Sequence, residues 1–144
     1  MTGLAIIAVA ALVAVGFGLY RRHVDGRFVA HADATPTTWD HVVAAAPGVE
    51  RGERATLVQF SSAFCAPCRT ARVVLNDVAA HEDGVHHVEI DAEKHLDLVR
   101  TLDVRRTPTT LILDSAGHEV VRAAGAPQKR HVLAALASTT EVPR

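Results

Sequence analysis

A three-layer α/β/α fold with a mixed central sheet, preceded by one transmembrane helix, is predicted from three observations. From about residue 54, short apolar runs alternate with longer segments of helical periodicity. The last two runs are joined by a tight turn instead of a helix. Residues 3–20 form an apolar stretch without a charged side chain. Alternating strands and helices imply a parallel layer with right-handed crossovers, and a terminal hairpin adds antiparallel strands.

The first element is the apolar stretch from Gly3 to Tyr20. A helix of this length spans about 27–30 Å, close to the hydrocarbon thickness of a bilayer. Gly16 and Gly18 are compatible with a membrane helix, and Tyr20 falls where an interfacial aromatic belongs. No Lys or Arg lies between Met1 and Gly3, and small residues at Ala30-His31-Ala32 come well after the run, so a cleaved signal peptide fits poorly. No polar stripe marks a soluble amphipathic helix. Arg21, Arg22 and Arg27 follow the stretch, which orients the rest of the chain toward the cytoplasm. The expected organisation is an anchor at 1–22, a linker and N-terminal extension at 23–53, and a folded domain at 54–144.

Val24 to Thr38 reads as linker, with Gly26, Pro36 and several threonines. Trp39 to Ala46 suits a short packed helix capped by Thr37 or Thr38, ended by Pro47, Gly48 and Gly52. Thr56–Phe60 is a buried-strand pattern. In Ala66–His81, Ala71, Val74, Leu75, Val78 and Ala79 share one helical face, and Asp83-Gly84 stops the helix. Val85–Asp91 reads as a strand and His95–Leu102 as a short helix. Thr109–Leu113 and Val120–Ala124 form a hairpin across Asp114-Ser115-Ala116-Gly117. Pro127–Ser138 closes the domain as a helix.

Composition excludes several functions. The chain has 144 residues, 49% hydrophobic, and a net charge of -1, which leaves no concentrated basic face for nucleic acid. Two cysteines three positions apart do not make a disulfide-stapled scaffold. They supply half of a tetrahedral zinc site at most. The nine histidines are scattered, without HExxH spacing. No metal site is expected. Arg105 and Arg106 read as a solvated loop, and Trp39 as a packing anchor.

Cys65 follows a strand and Cys68 lies in the first turn of a helix. Unpaired amides and the partial positive charge at a helix start stabilise a thiolate. In such motifs the thiol pKa falls from about 8.5 to roughly 3.5–7.5. Cys65 then becomes nucleophilic, and Cys68 is placed to attack a mixed disulfide. Pro67 fits the first helical turn.

The run Leu57-Val58-Gln59-Phe60-Ser61-Ser62-Ala63-Phe64-Cys65-Ala66-Pro67-Cys68-Arg69 resembles the active-site strand and helix of the thioredoxin family. Thr107-Pro108-Thr109 is similar to the family's cis-proline segment, and Gly125 to a glycine near its substrate groove. The resemblance covers about Arg54 to Ala137. It implies a thioredoxin-like fold, with Cys65 attacking and Cys68 resolving. It also implies a cis Pro108 against the disulfide, and a Thr107 backbone that pairs with extended substrate. Phe64, Ala66, Pro67 and Gly125 would complete the substrate surface, without a cofactor.

Several positions depart from the family pattern. Gln59 stands where the family usually keeps a buried acid, and His87 where a lysine is common. Ser61 and Phe64 match tryptophan positions, Ala66 a glycine, and Val73 lies near an absent helix proline. These departures imply narrower partner choice or slower turnover, with Gln59 as the tuning residue. The implied partners are protein or small-molecule disulfides and thiols, a reductant of unspecified identity, and a membrane through residues 3–20. Two functions are expected from this: a membrane-tethered thiol–disulfide oxidoreductase on the cytoplasmic side, or a low-turnover redox-responsive binding module.

Overall fold

Seven consecutive buried residues, Ala55–Ser61, form the strand around which the domain is arranged. The computed structural model describes residues 10–20, 28–30 and 38–139. The elements are α1 (residues 10–20), β1 (Phe28–Ala30), α2 (Thr38–Ala45), β2 (Ala55–Ser61), α3 (Ala66–His81), β3 (Val85–Asp91), α4 (Leu96–Thr101), β4 (Thr109–Asp114), β5 (Glu119–Ala124) and α5 (Lys129–Thr139). The sheet runs β1-β5-β4-β2-β3. β2 and β3 are parallel, whereas β4 is antiparallel to β2, and β5 to β4.

Alternation along the strands divides the core in two. Val58 and Phe60 of β2, Val88 and Ile90 of β3, and Leu111 and Leu113 of β4 face one side. Val42 of α2 and Leu98 of α4 cover them there. Ala55, Leu57, Val85, Ile112 and Val121 face the other side, under Leu75 and Val78 of α3 and Val132 and Leu136 of α5. Two helical layers on a mixed sheet match the expected α/β/α architecture. Each of these larger side chains contributes about 1.5–3 kcal/mol on burial.

One departure concerns the residues read as linker, while the short helix expected after them is present as α2. β1 pairs antiparallel with β5, Phe28 opposite Ala123, and so forms a sheet edge. Three residues are too short for any periodicity to reveal. α2 is tied to the β4–β5 turn, where Trp39 N donates to Gly117 O at 3.1 Å. Thr38 is its first residue, with a buried, unpartnered Oγ1, while Thr37 lies outside the described residues. Gly117 has φ +93°, and a Cβ there would sit 2.7 Å from Trp39 Cβ. Gly117→Ala is therefore expected to cost about 2 kcal/mol, from left-handed strain plus overpacking, read as a lowered urea midpoint. Unchanged stability would show that α2 is not held by this turn.

The expected membrane span is described only in part. Residues 10–20 are helical and exposed throughout, with Leu12 73% and Phe17 62% exposed. Among the described residues no helix is long and apolar enough to cross a membrane. Residues 3–9, and Arg21, Arg22 and Arg27, lie outside the described residues.

Candidate active site

β2 ends at Ser61 and α3 begins at Ala66, so the connecting loop delivers Cys65 to the helix start. Cys65 is the N-cap, in extended backbone conformation. Cys68 N lies 3.1 Å from Cys65 Sγ and donates to it. The same N–H is shared with Cys65 O, also at 3.1 Å, and its contact with the sulfur favours a thiolate once the bond to Cys68 is broken. The two cysteines are joined as a disulfide. Cys65 keeps 9% of its surface exposed and Cys68 1%, so the first cysteine is the more accessible of the two. Phe64 projects fully into solvent beside it, with Ala66 and Pro67 also exposed.

The second loop comes from the start of β4. Thr107–Pro108 is a cis peptide bond. Ser62 Oγ and Thr107 Oγ1 are 3.0 Å apart, which ties this loop to the cysteine loop. Gly125 N donates to Pro108 O at 2.8 Å, so Gly125, at φ +97°, lies against the same loop. Phe64, Cys65, Ala66, Pro67 and Cys68 thus form one segment of the site, with Thr107, Pro108 and Gly125 as a second, linked through Ser62.

Beneath the motif a polar cluster runs from a buried glutamine out to the surface on the α3 side of the sheet. Gln59 is wholly buried. Its Nε2 donates to Ser61 Oγ at 2.7 Å and to Cys68 O at 2.9 Å. Its Oε1 faces His87 Nε2 at 3.1 Å, and His87 Nδ1 faces Asn76 Oδ1 at 2.6 Å. Burial pushes the His87 imidazole below its ordinary value, with Arg72 acting the same way and Glu89 opposing. Arg72 donates twice to Glu89, at 2.6 and 2.7 Å. For Glu89 burial works upward, but the hydrogen bonds from Arg72 and Ser61 and the nearby positive charges outweigh it, and its carboxyl is held below the usual range. A cleft of about 310 Å³ lined by Ser61, Ser62, Ala63, Arg72, Glu89 and Asp91 opens beside this cluster.

Sequence reasoning singled out Gln59 and noted His87, but not the chain they form. Asn76 and Ser61 complete it, and neither lies on an apolar period. The one available signal was registry, since His87 and Glu89 fall on the same strand face by alternation. Thr110, directly opposite Gln59 on β4, also escaped notice; its Oγ1 is buried without a partner. Among the described residues no group of three or more His, Cys, Asp or Glu is placed to hold a metal.

A dithiol with one sulfur at a helix start and its partner one turn inside defines a protein that exchanges thiols and disulfides. Comparison with known proteins gives the family. The thioredoxin family model matches residues 31–138, and the chain belongs to that family. It is 29% identical to Thioredoxin H4-1 of Oryza sativa subsp. japonica over 76% of this chain and 82% of that protein. It is 30% identical to a thioredoxin of Alicyclobacillus acidocaldarius subsp. acidocaldarius over 63% of this chain and 87% of that protein. Among solved structures, chloroplastic thioredoxin z superposes with a TM-score of 0.59 at 24% identity, covering 72% of this chain and 90% of that one. A thioredoxin from Nicotiana alata superposes at 0.56 and 24%, covering 74% and 89%. Family and motif together make this chain a thiol–disulfide oxidoreductase.

Proposed function

We propose that the chain is a membrane-tethered oxidoreductase that reduces partner disulfides through Cys65 and Cys68. The carrying observation is the asymmetry of the pair: Cys65 Sγ accepts the Cys68 N–H, while Cys68 is nearly sealed. Cys65 attacks a partner disulfide, forms a mixed disulfide and releases one partner thiolate. Cys68, deprotonated, then attacks Cys65 Sγ, releases the second thiolate and leaves the Cys65–Cys68 disulfide. A separate reductant returns the pair to the dithiol. Phe64, Ala66, Pro67, Thr107, Pro108 and Gly125 form the surface that receives the partner, with the Thr107 backbone pairing an extended segment.

Tethering rests on α1, whose large apolar side chains find no cover in the domain. The arginines that follow it in the sequence support a cytoplasmic side for the domain. That compartment keeps thiols reduced, which sets the direction toward reduction. Labelling of an engineered cysteine after Arg27, in the Cys65→Ser/Cys68→Ser background in intact cells, tests this. Labelling by an impermeant reagent would overturn the orientation. In the cell, Cys68→Ser is expected to accumulate covalent partner complexes that a reductant releases, because the second attack is lost. No such complexes would count against the reading. Gln59 favours one alternative, a redox-responsive binding module, because a neutral amide cannot take the resolving proton. Cys65-dependent multiple turnover separates the two.

A further inference from the structure

The resolving cysteine has a neutral amide beside it where a proton-handling group would help, and the hydrogen bonds around that amide dictate its orientation. Gln59 Nε2 has two N–H bonds, both used, on Ser61 Oγ and the Cys68 carbonyl. Turning the amide over would set Gln59 Oε1 against the Cys68 carbonyl, oxygen facing oxygen with no proton between. Gln59 Oε1 therefore points away from Cys68, toward His87, in a wholly buried site. An unmet oxygen there costs about 1–3 kcal/mol. His87 Nε2 must carry a hydrogen and donate it.

The other ring nitrogen has a different freedom. His87 Nδ1 faces the Asn76 amide at 2.6 Å. With Asn76 Oδ1 toward it, Nδ1 carries a proton and the ring is imidazolium. With the amide turned over, Asn76 Nδ2 donates to a bare Nδ1 and the ring is neutral. Both states satisfy every hydrogen bond and leave Gln59 where it is. A unit charge can thus appear or vanish one side chain away from the Cys68 backbone without disturbing the site.

We infer that His87 is a positioning residue for the resolving step: its Nε2–H holds Gln59 onto the first turn of α3 at Cys68, and proton exchange at Nδ1 sets how readily the Cys68 thiol ionises. The inference rests on the oxidoreductase reading and assigns to it a pH response. The groups facing the ring are Gln59 from β2, Asn76 and Arg72 from α3, and Glu89 from its own strand. Burial holds the ring below its ordinary value, so it is neutral at pH 7 and charges only in acid. Its positive charge then favours the Cys68 thiolate, and resolution falls less steeply with pH than a single thiol ionisation requires.

The test uses Cys65 loaded as its mixed disulfide with thionitrobenzoate. Cys68 thiolate attacks Cys65 Sγ, the Cys65–Cys68 bond forms, thionitrobenzoate leaves and is read by absorbance, and the Cys68 proton passes to solvent. In the acid range where the ring charges, the wild-type rate should rise above the line extrapolated from pH 8, by up to about tenfold. His87→Gln keeps a donor but cannot titrate, and should restore the single-ionisation line with a normal rate at pH 8. His87→Leu should lose about tenfold at pH 8, because Gln59 Oε1 is orphaned. An excess acid rate in His87→Gln, or an unchanged rate in His87→Leu, overturns the proposal. Ring-nitrogen NMR of the oxidised chain supplies a readout independent of turnover: Nε2 should stay protonated across the titration while Nδ1 exchanges. A neutral ring protonated at Nδ1 overturns the assignment. If Cys65 forms no mixed disulfide at all, the oxidoreductase reading fails while this measurement still decides the place of His87.

Discussion

Cys65→Ser is expected to reduce insulin-type disulfide reduction to the background of the added dithiol, a loss of roughly 10³-fold or more. A serine hydroxyl is not ionised at neutral pH and attacks sulfur poorly, whereas a thiolate is both ionised and soft. The structure says why Cys65 in particular carries this role. Its sulfur sits at the N-cap and accepts the Cys68 N–H, so the reduced sulfur inherits a hydrogen bond that stabilises the anion. The partial positive charge of the α3 start adds to that. Cys68 is 1% exposed, so no partner disulfide reaches it first. Cys68→Ser should therefore behave differently, retaining one fast thiol attack and losing turnover. Alkylation of Cys65 across pH should give a thiol titration well below about 8.5. An ordinary titration, or equal losses in the first attack for both variants, would remove the basis for the assignment.

How much of this was legible in the residues depends on the scale of the signal. α3 runs from Ala66 to His81 and β3 from Val85 to Asp91, as the periodicity predicts, because long segments average over many side chains. The sequence pattern predicts the last helix from Pro127, whereas α5 begins at Lys129, with Val132 N bonded to Gln128 O. β1 was invisible, since its pairing with β5 depends on a partner almost a hundred residues away. The same holds at the site. Cys65 and Cys68 announce themselves by spacing, because one helical turn separates them. Gln59 stood out only against a family pattern. Its links to Ser61, Cys68 and His87 arise from folding β2 against β3 and α3, and no local pattern encodes them. Asn76 reads as one polar residue on an exposed helix face; only the 2.6 Å contact gives it a role.

Gln59→Asp should change rate and stability in opposite directions. A carboxylate beside Cys68 accepts the resolving thiol's proton, which an amide cannot, and positioned general bases contribute at least about 10²-fold. Single-turnover release from the Cys65 mixed disulfide is therefore expected to rise by that order at pH 7. The same change removes the donor that Gln59 supplies to the Cys68 carbonyl and desolvates an acid at a wholly buried position, for a cost of about 1–3 kcal/mol. The deficit depends on pH with a definite sign. Burial raises the aspartate pKa in the folded chain above its unfolded value of about 3.9. Ionisation then favours the unfolded state, so this part of the deficit is absent below about pH 4. It grows as pH rises through that value and is complete above the folded pKa. The His87 Nε2–H beside the site favours the carboxylate and narrows that window. Urea unfolding at pH 5 and pH 8, set beside the release rate, checks both halves. A variant that loses stability at pH 8 without gaining rate would show that proton removal from Cys68 does not limit resolution. The slow step would then lie in the movement that brings Cys68 Sγ to Cys65.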